Sequence, residues 1–213
     1  MKTMKNVTVI LALLWGFANL AQAQVEKFLE GTHYLEVPEA PVLKELLPRG
    51  TKPEVVEIFW YGCPHCYEFD PMLANWVQQH GSSIEFTRRP MIWNAGTKHH
   101  ARIFYTAQAL GMGDKLHKSF FDSIHQQKNY LQDGASVKPL FVAAGISDKQ
   151  FESTFNGPVV ESLVKKDETL LTALQVPSVP AMLVNGRYLV QIGDAVPSHK
   201  ALLEVTEFLL RKK

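Results

Sequence analysis

The order of apolar and polar positions divides the chain into segments of different period. Val55-Val56-Glu57-Ile58-Phe59-Trp60 is almost wholly apolar, β-branched and aromatic, which predicts a central strand. It ends at Tyr61-Gly62. From Pro64 to about Gln79 the spacing turns helical, with Phe69, Leu73, Trp76 and Val77 near one face. Ile84 to Arg88 predicts a second strand after His80-Gly81. Strand, helix and strand in one short stretch make a βαβ unit, whose strands must run parallel. Ahead of it, Thr32 to Val37 alternates loosely, as an edge strand does. The prolines from Pro38 to Pro53 predict a connection, with a helical turn near Leu43 to Leu47.

The middle of the chain carries no strand signal. Lys98–Leu110, Lys115–Gln127, Ser136–Ala144 and Asp148–Phe155 are helical segments separated by Gly, Asn or Asp. Pro158 suits the first turn of a longer helix ending near Leu174. Then Ala181 to Val184 and Arg187 to Val190 flank Asn185-Gly186, a strong short-range hairpin signal. Pro197-Ser198 opens a last amphipathic helix with Leu202, Leu203, Val205, Phe208 and Leu209. The expected fold class is therefore α/β, a sheet domain split by an inserted all-helical block.

Charge and cysteine count narrow the function. With 22 Lys and Arg against 21 Asp and Glu, no basic field points to nucleic acid. Lys2 and Lys5 precede an apolar stretch from Val7 to Ala21, closed by Ala21-Gln22-Ala23. These are the three parts of a secretory signal peptide, and the stretch is short of the roughly 20 residues a membrane span needs. Cleavage is expected after Ala23, and the mature chain is expected to be soluble.

Export favours disulfides, yet the 2 cysteines, Cys63 and Cys66, lie three positions apart. Closing so short a ring restricts the unfolded chain by only about 2 kcal/mol. The pair is better placed for chemistry than for cross-linking. Cys63 falls where a buried strand turns into a helix, so unpaired N–H groups and the positive helix end should stabilise its thiolate. Pro64 suits the first helical position, and His65 adds a donor and, when protonated, a charge. Cys66, one turn on, should be more buried and closer to an ordinary thiol. The rival readings are an inert disulfide and half of a zinc site completed by His65, His99 or His100. Neighbouring histidines on a helix do not share a face, so no metal is expected.

The segment Glu57 to Tyr67, with Gly62-Cys63-Pro64-His65-Cys66 at its centre, resembles the active-site segment of the DsbA family of periplasmic thiol oxidases. Val179-Pro180-Ala181-Met182, followed by Val184-Asn185-Gly186, resembles that family's second signature. The likeness spans essentially the whole mature chain. It implies a thioredoxin-like fold with an inserted helical domain: residues 24–96 and 165–213 form the first unit, 97–164 the insertion. It implies that Cys63 and Cys66 form a redox-active disulfide that oxidises newly secreted cysteine-containing proteins in the periplasm. A strongly depressed cysteine pKa and a strongly oxidising disulfide are known family properties, carried over by that resemblance.

Further implications concern single residues. Pro180 would be cis beside the disulfide, and the Val179 backbone would pair with an extended client. Glu57, an acid in an apolar strand, would lie buried near Cys66 and relay its proton. Arg88 stands where well-known members carry lysine; arginine can pair with Glu57 but cannot share a relay. A DsbB-like quinone-linked membrane oxidase would reoxidise a monomeric enzyme needing no bound cofactor. A reductase, an isomerase and a non-enzymatic holdase are the alternatives. Isomerases resembling DsbC carry an N-terminal dimerisation domain, for which the roughly 30 residues before the first strong strand leave no room. Outside the site, His99-His100 and His117-Lys118 read as solvated helix faces, Arg89 as a surface charge, and Trp60, Trp76, Phe120 and Phe121 as core.

Overall fold

The computed structural model describes residues 26–37, 41, 43 and 51–212. The expected leader and most of the proline-rich connection, with its helical turn, lie outside them. The apolar run becomes strand β2 (Glu54–Phe59), buried along its whole length, and Leu35–Glu36 forms β1. Helix α1 (Pro64–His80) leads to β3 (Glu85–Pro90), which pairs parallel with β2 as a βαβ unit requires. The hairpin strands are β4 (Ala181–Val184) and β5 (Tyr188–Gln191). Sheet order is β1-β5-β4-β2-β3, so β2 is interior and β1 lies at an edge, as expected.

The hairpin turns through Asn185 and Gly186, both in the left-handed region with φ of 53° and 61°. That conformation suits Asn and Gly and matches the twist of paired strands. Asn185 also ties the turn to β2: its backbone N–H donates to the Glu54 carbonyl and its Oδ1 accepts from the Glu54 N–H at 3.0 Å.

Between β3 and β4 the described chain is helical: α2 (Ala95–Ala109), α3 (Gly113–His125), α4 (Gly134–Ala143), α5 (Asp148–Phe155) and α6 (Pro158–Leu174). Three of the first four begin two or three residues before the apolar period does. In two of these, capping residues set the start: Asn94 and Asp133 each bond the first turn reciprocally with Thr97 and Ser136. Helix α6 starts at Pro158 and ends at Leu174, as its sequence predicts. Helix α7 (His199–Arg211) follows the Ser198 cap.

Strand alternation divides the core into two layers. Val56, Ile58, Ala181, Leu183 and Leu189 face the helical block, while Val55, Met182, Val184, Tyr188 and Val190 face α1 and α7. Glu57 shares the parity of Val55 and therefore lies beneath α1. No helix among the described residues is long and apolar enough to cross a membrane.

Three polar residues depart from the expectation of solvated surfaces. His100 and His117 are each 7% exposed, because α2 and α3 turn them inward towards Trp60 and Tyr61. Arg89 is not an ordinary surface charge. It reaches across from β3 to the fully buried Asp167 of α6, which also accepts a hydrogen bond from the Tyr105 hydroxyl of α2. Phe120, Phe121 and Trp76 are core, as read; Trp60 packs against the core at its margin.

Candidate active site at the mouth of helix α1

Cys63 caps α1 with extended backbone, and Pro64 holds the first helical position, where its missing N–H costs nothing. The Cys63 N–H donates to the Trp60 carbonyl at 3.0 Å, which fixes the turn between strand and helix. Gly62 is required there: a Cβ at that position would lie 2.3 Å from the Trp60 indole, which covers it. The indole is held in turn by its N–H, which donates to His100 Nδ1 at 3.0 Å. Beside this turn is a groove of about 660 Å³, lined by Trp60, Gly62, Pro64, Ile124, His125 and Tyr130.

Cys63 and Cys66 are both buried free thiols. The Cys63 thiol is pulled down to about 6, first by a hydrogen bond from Cys66, then by the backbone N–H groups of Cys66 and His65, against the opposing effect of burial. The charge of the His65 ring acts in the same direction. Cys66 departs from the expectation of a nearly ordinary thiol. It is completely buried, and burial pushes it far above the usual range, with further upward pushes from Cys63 and from the Glu57 charge. One sulfur of the pair is thus stable as an anion and the other only as a thiol.

His65 proves to act in two separable ways. Its backbone N–H serves Cys63, while its ring is exposed and lies 3.6 Å from Glu68 across one helical turn. A His65→Ser enzyme keeps the N–H and loses the ring. Its Cys63 thiolate should therefore titrate at higher pH, by no more than about one unit. Thiolate absorbance against pH measures this, and an unmoved titration would remove the ring from the argument.

Val179 and Pro180 arrive from 116 residues along the chain. Their peptide bond is cis, and the Cys63 thiol donates to the Val179 carbonyl at 3.5 Å. The second sequence signature thus lies against the first.

Glu57 is 1% exposed beneath α1, and burial raises its carboxyl to about 7 against the lowering effect of Arg88. Register sets the pair, since Glu57 and Arg88 are neighbours across β2 and β3. Arg88 Nε donates to Glu57 at 2.8 Å, and its Nη2 donates to Asp70 at 3.1 Å. His117 Nε2 lies 3.3 Å from the same Asp70 oxygen, and His117 Nδ1 is 3.0 Å from the Tyr61 hydroxyl. Burial opposes ionisation of Asp70, but His117 and Arg88 outweigh it and hold the carboxyl below its usual range.

The continuation through Asp70, His117 and Tyr61 was missed in the sequence. Asp70 follows Cys66 by four residues, a same-face spacing that marks it. His117 carries no such signal.

Residues 73–202 match the family model described as a DSBA-like thioredoxin domain. The thiol:disulfide interchange protein DsbA of Burkholderia cepacia is 34% identical, over 98% of this chain and 97% of that protein. Its namesake in Pseudomonas aeruginosa strain PAO1 is 31% identical over 99% of this chain and 97% of its own length. The chain belongs to the DsbA family. A crystal structure of Pseudomonas aeruginosa DsbA superposes with a TM-score of 0.79 at 29% identity, covering 88% of this chain and 95% of that one. The Xylella fastidiosa oxidoreductase DsbA gives 0.75 at 29% identity, covering 84% and 93%. The fold is accordingly the DsbA-like thioredoxin fold with its helical insertion, and the chain is a thiol:disulfide oxidoreductase. The family match begins after the cysteines, so their roles rest on the geometry of this site.

Proposed function

We propose that this oxidoreductase works as an oxidase, donating a Cys63–Cys66 disulfide to newly exported proteins. The observation that carries the direction is the asymmetry of the two thiols, with Cys63 drawn down to about 6 and Cys66 pushed far up. In the disulfide form, a client thiolate attacks the Cys63 sulfur. The Cys63–Cys66 bond breaks, and the electron pair leaves with Cys66. Cys66 cannot remain an anion in its buried place and takes a proton, for which Glu57, raised to about 7, is the nearby donor. A second client thiolate then attacks the client sulfur of the mixed disulfide. Cys63 departs as a thiolate, and its low pKa makes it a good leaving group. The client has lost two electrons, and the enzyme holds them as a dithiol.

The roles of the other residues follow from this sequence of steps. Pro64 and the N–H groups of the first turn favour the Cys63 anion, and the His65 ring adds to their field. The Val179 carbonyl beside Cys63 offers an extended client a backbone partner, so recognition depends little on client side chains. Arg88 keeps Glu57 oriented and, always charged, takes no proton itself.

Residues 1–23 act as the export signal, and the mature enzyme is a periplasmic monomer, reoxidised by a DsbB-like quinone-linked membrane protein. Residues 24–96 and 165–213 form the thioredoxin-like unit around the 97–164 insertion, α6 running on across the second boundary. The leader pattern and the two cysteines of an exported chain support this assignment.

Equilibration of the pair with glutathione tests the direction. The reduced form should predominate even when most of the glutathione is oxidised. A poise as reducing as that of thioredoxin would overturn the oxidase reading.

A further inference from the structure

The exposed His65 ring belongs to a cluster whose other two members, Glu68 and His199, the redox chemistry does not use. His65 and Glu68 are one turn apart on α1, a spacing that puts both on one face. His199, the first residue of α7, meets them there. One ligand atom from each of the three lies within 4.8 Å of the others.

His199 is held in place. Its ring stacks on Phe69 at 5.1 Å and 28°, and lies 6.4 Å from the His65 ring.

We propose that His65, Glu68 and His199 bind a divalent transition-metal ion, with Zn²⁺ the ion their chemistry fits best. Two imidazoles and one carboxylate are a known three-residue zinc set, and a fourth position stays open for water. The sequence expectation of no metal considered only the cysteines with His65, His99 and His100, and could not see His199. Affinity should be moderate. Two helix N-termini present positive ends at this place, which opposes a cation, and the Glu68 carboxylate offsets part of that.

Binding is measured directly. Zn²⁺ is titrated calorimetrically into the disulfide form of the full mature enzyme, in which neither cysteine offers a thiolate. Saturable binding of one ion per chain is expected. It should weaken roughly tenfold or more in His199→Ala, and stay unchanged in His33→Ala, a histidine outside the cluster. No saturable binding, or equal binding by His199→Ala, overturns the site.

Discussion

Replacing Asp167 with Ala should destabilise the enzyme by about 3–5 kcal/mol, the typical cost of leaving a buried charge without its partner. Asp167 is fully buried on α6, and it is held by Arg89 from β3 and Tyr105 from α2. These contacts fasten an edge of the sheet to the helical block, so their loss weakens the joint between the two layers. Burial pushes the Asp167 carboxyl above its usual range, and Arg89 and Tyr105 offset part of that cost. Without the carboxylate, the Arg89 guanidinium loses the acceptor it holds, and its Nε is already buried without a partner among the described residues. At roughly 2–4 °C per kcal/mol for a chain of this size, melting should fall by about 6–20 °C. Converting both partners, as Arg89→Met with Asp167→Leu, should recover most of the loss, since an apolar pair leaves no charge stranded. Urea unfolding of the single and double variants measures this. A single Asp167→Ala costing under about 1 kcal/mol would show that the pair fastens nothing.

The reduced enzyme should gain stability relative to the disulfide form as pH rises from 5 to 8.5. Cys63 is an acid whose folded pKa, about 6, lies below its unfolded value of about 8.5. Its contribution is therefore complete above the unfolded pKa and disappears as pH falls through about 6. At pH 7 the native thiolate outnumbers the thiol about ten to one, which is worth about 1 kcal/mol after allowance for solvent screening. Across the whole interval the gain is about 2 kcal/mol, or roughly 4–8 °C in melting temperature. Glu57 has the opposite sign: its folded pKa is raised to about 7, so its contribution is present at low pH and lost as pH rises through 7. It is present in both redox forms and largely cancels from their difference. Thermal scans with and without reductant at pH 5, 7 and 8.5 provide the test. A gap that ignores pH, or widens towards acid, would contradict stabilisation by the thiolate.

Much of the architecture was legible because its signals are local. The β2 run, the Pro158 start of α6 and the Asn185-Gly186 turn each depend on a few adjacent residues. Edges of the inserted helices were less legible, because Asn94 and Asp133 start them through polar caps ahead of any apolar period. The cysteine pair was plain for the same local reason: Gly62, Cys63, Pro64 and His65 adjoin the strand end that makes them reactive. The error about Cys66 has a physical source. Its pKa depends on how deeply α1 packs over β2 and Glu57, and helical spacing carries no measure of depth.

Residue order by itself determined the strand, the helix that follows it, the reactive turn between them and the left-handed hairpin, since backbone preference and short-range periodicity act over one or two turns of chain. Tertiary structure alone decided that His100 and His117 point inward, that Arg89 finds Asp167, that Glu57 is linked through Arg88 to Asp70, and that His199 comes to His65. Each of those meetings joins residues far apart in sequence, or depends on what a neighbouring element covers. A charge or an imidazole becomes costly, paired or useful only when the surroundings that remove its water are in place.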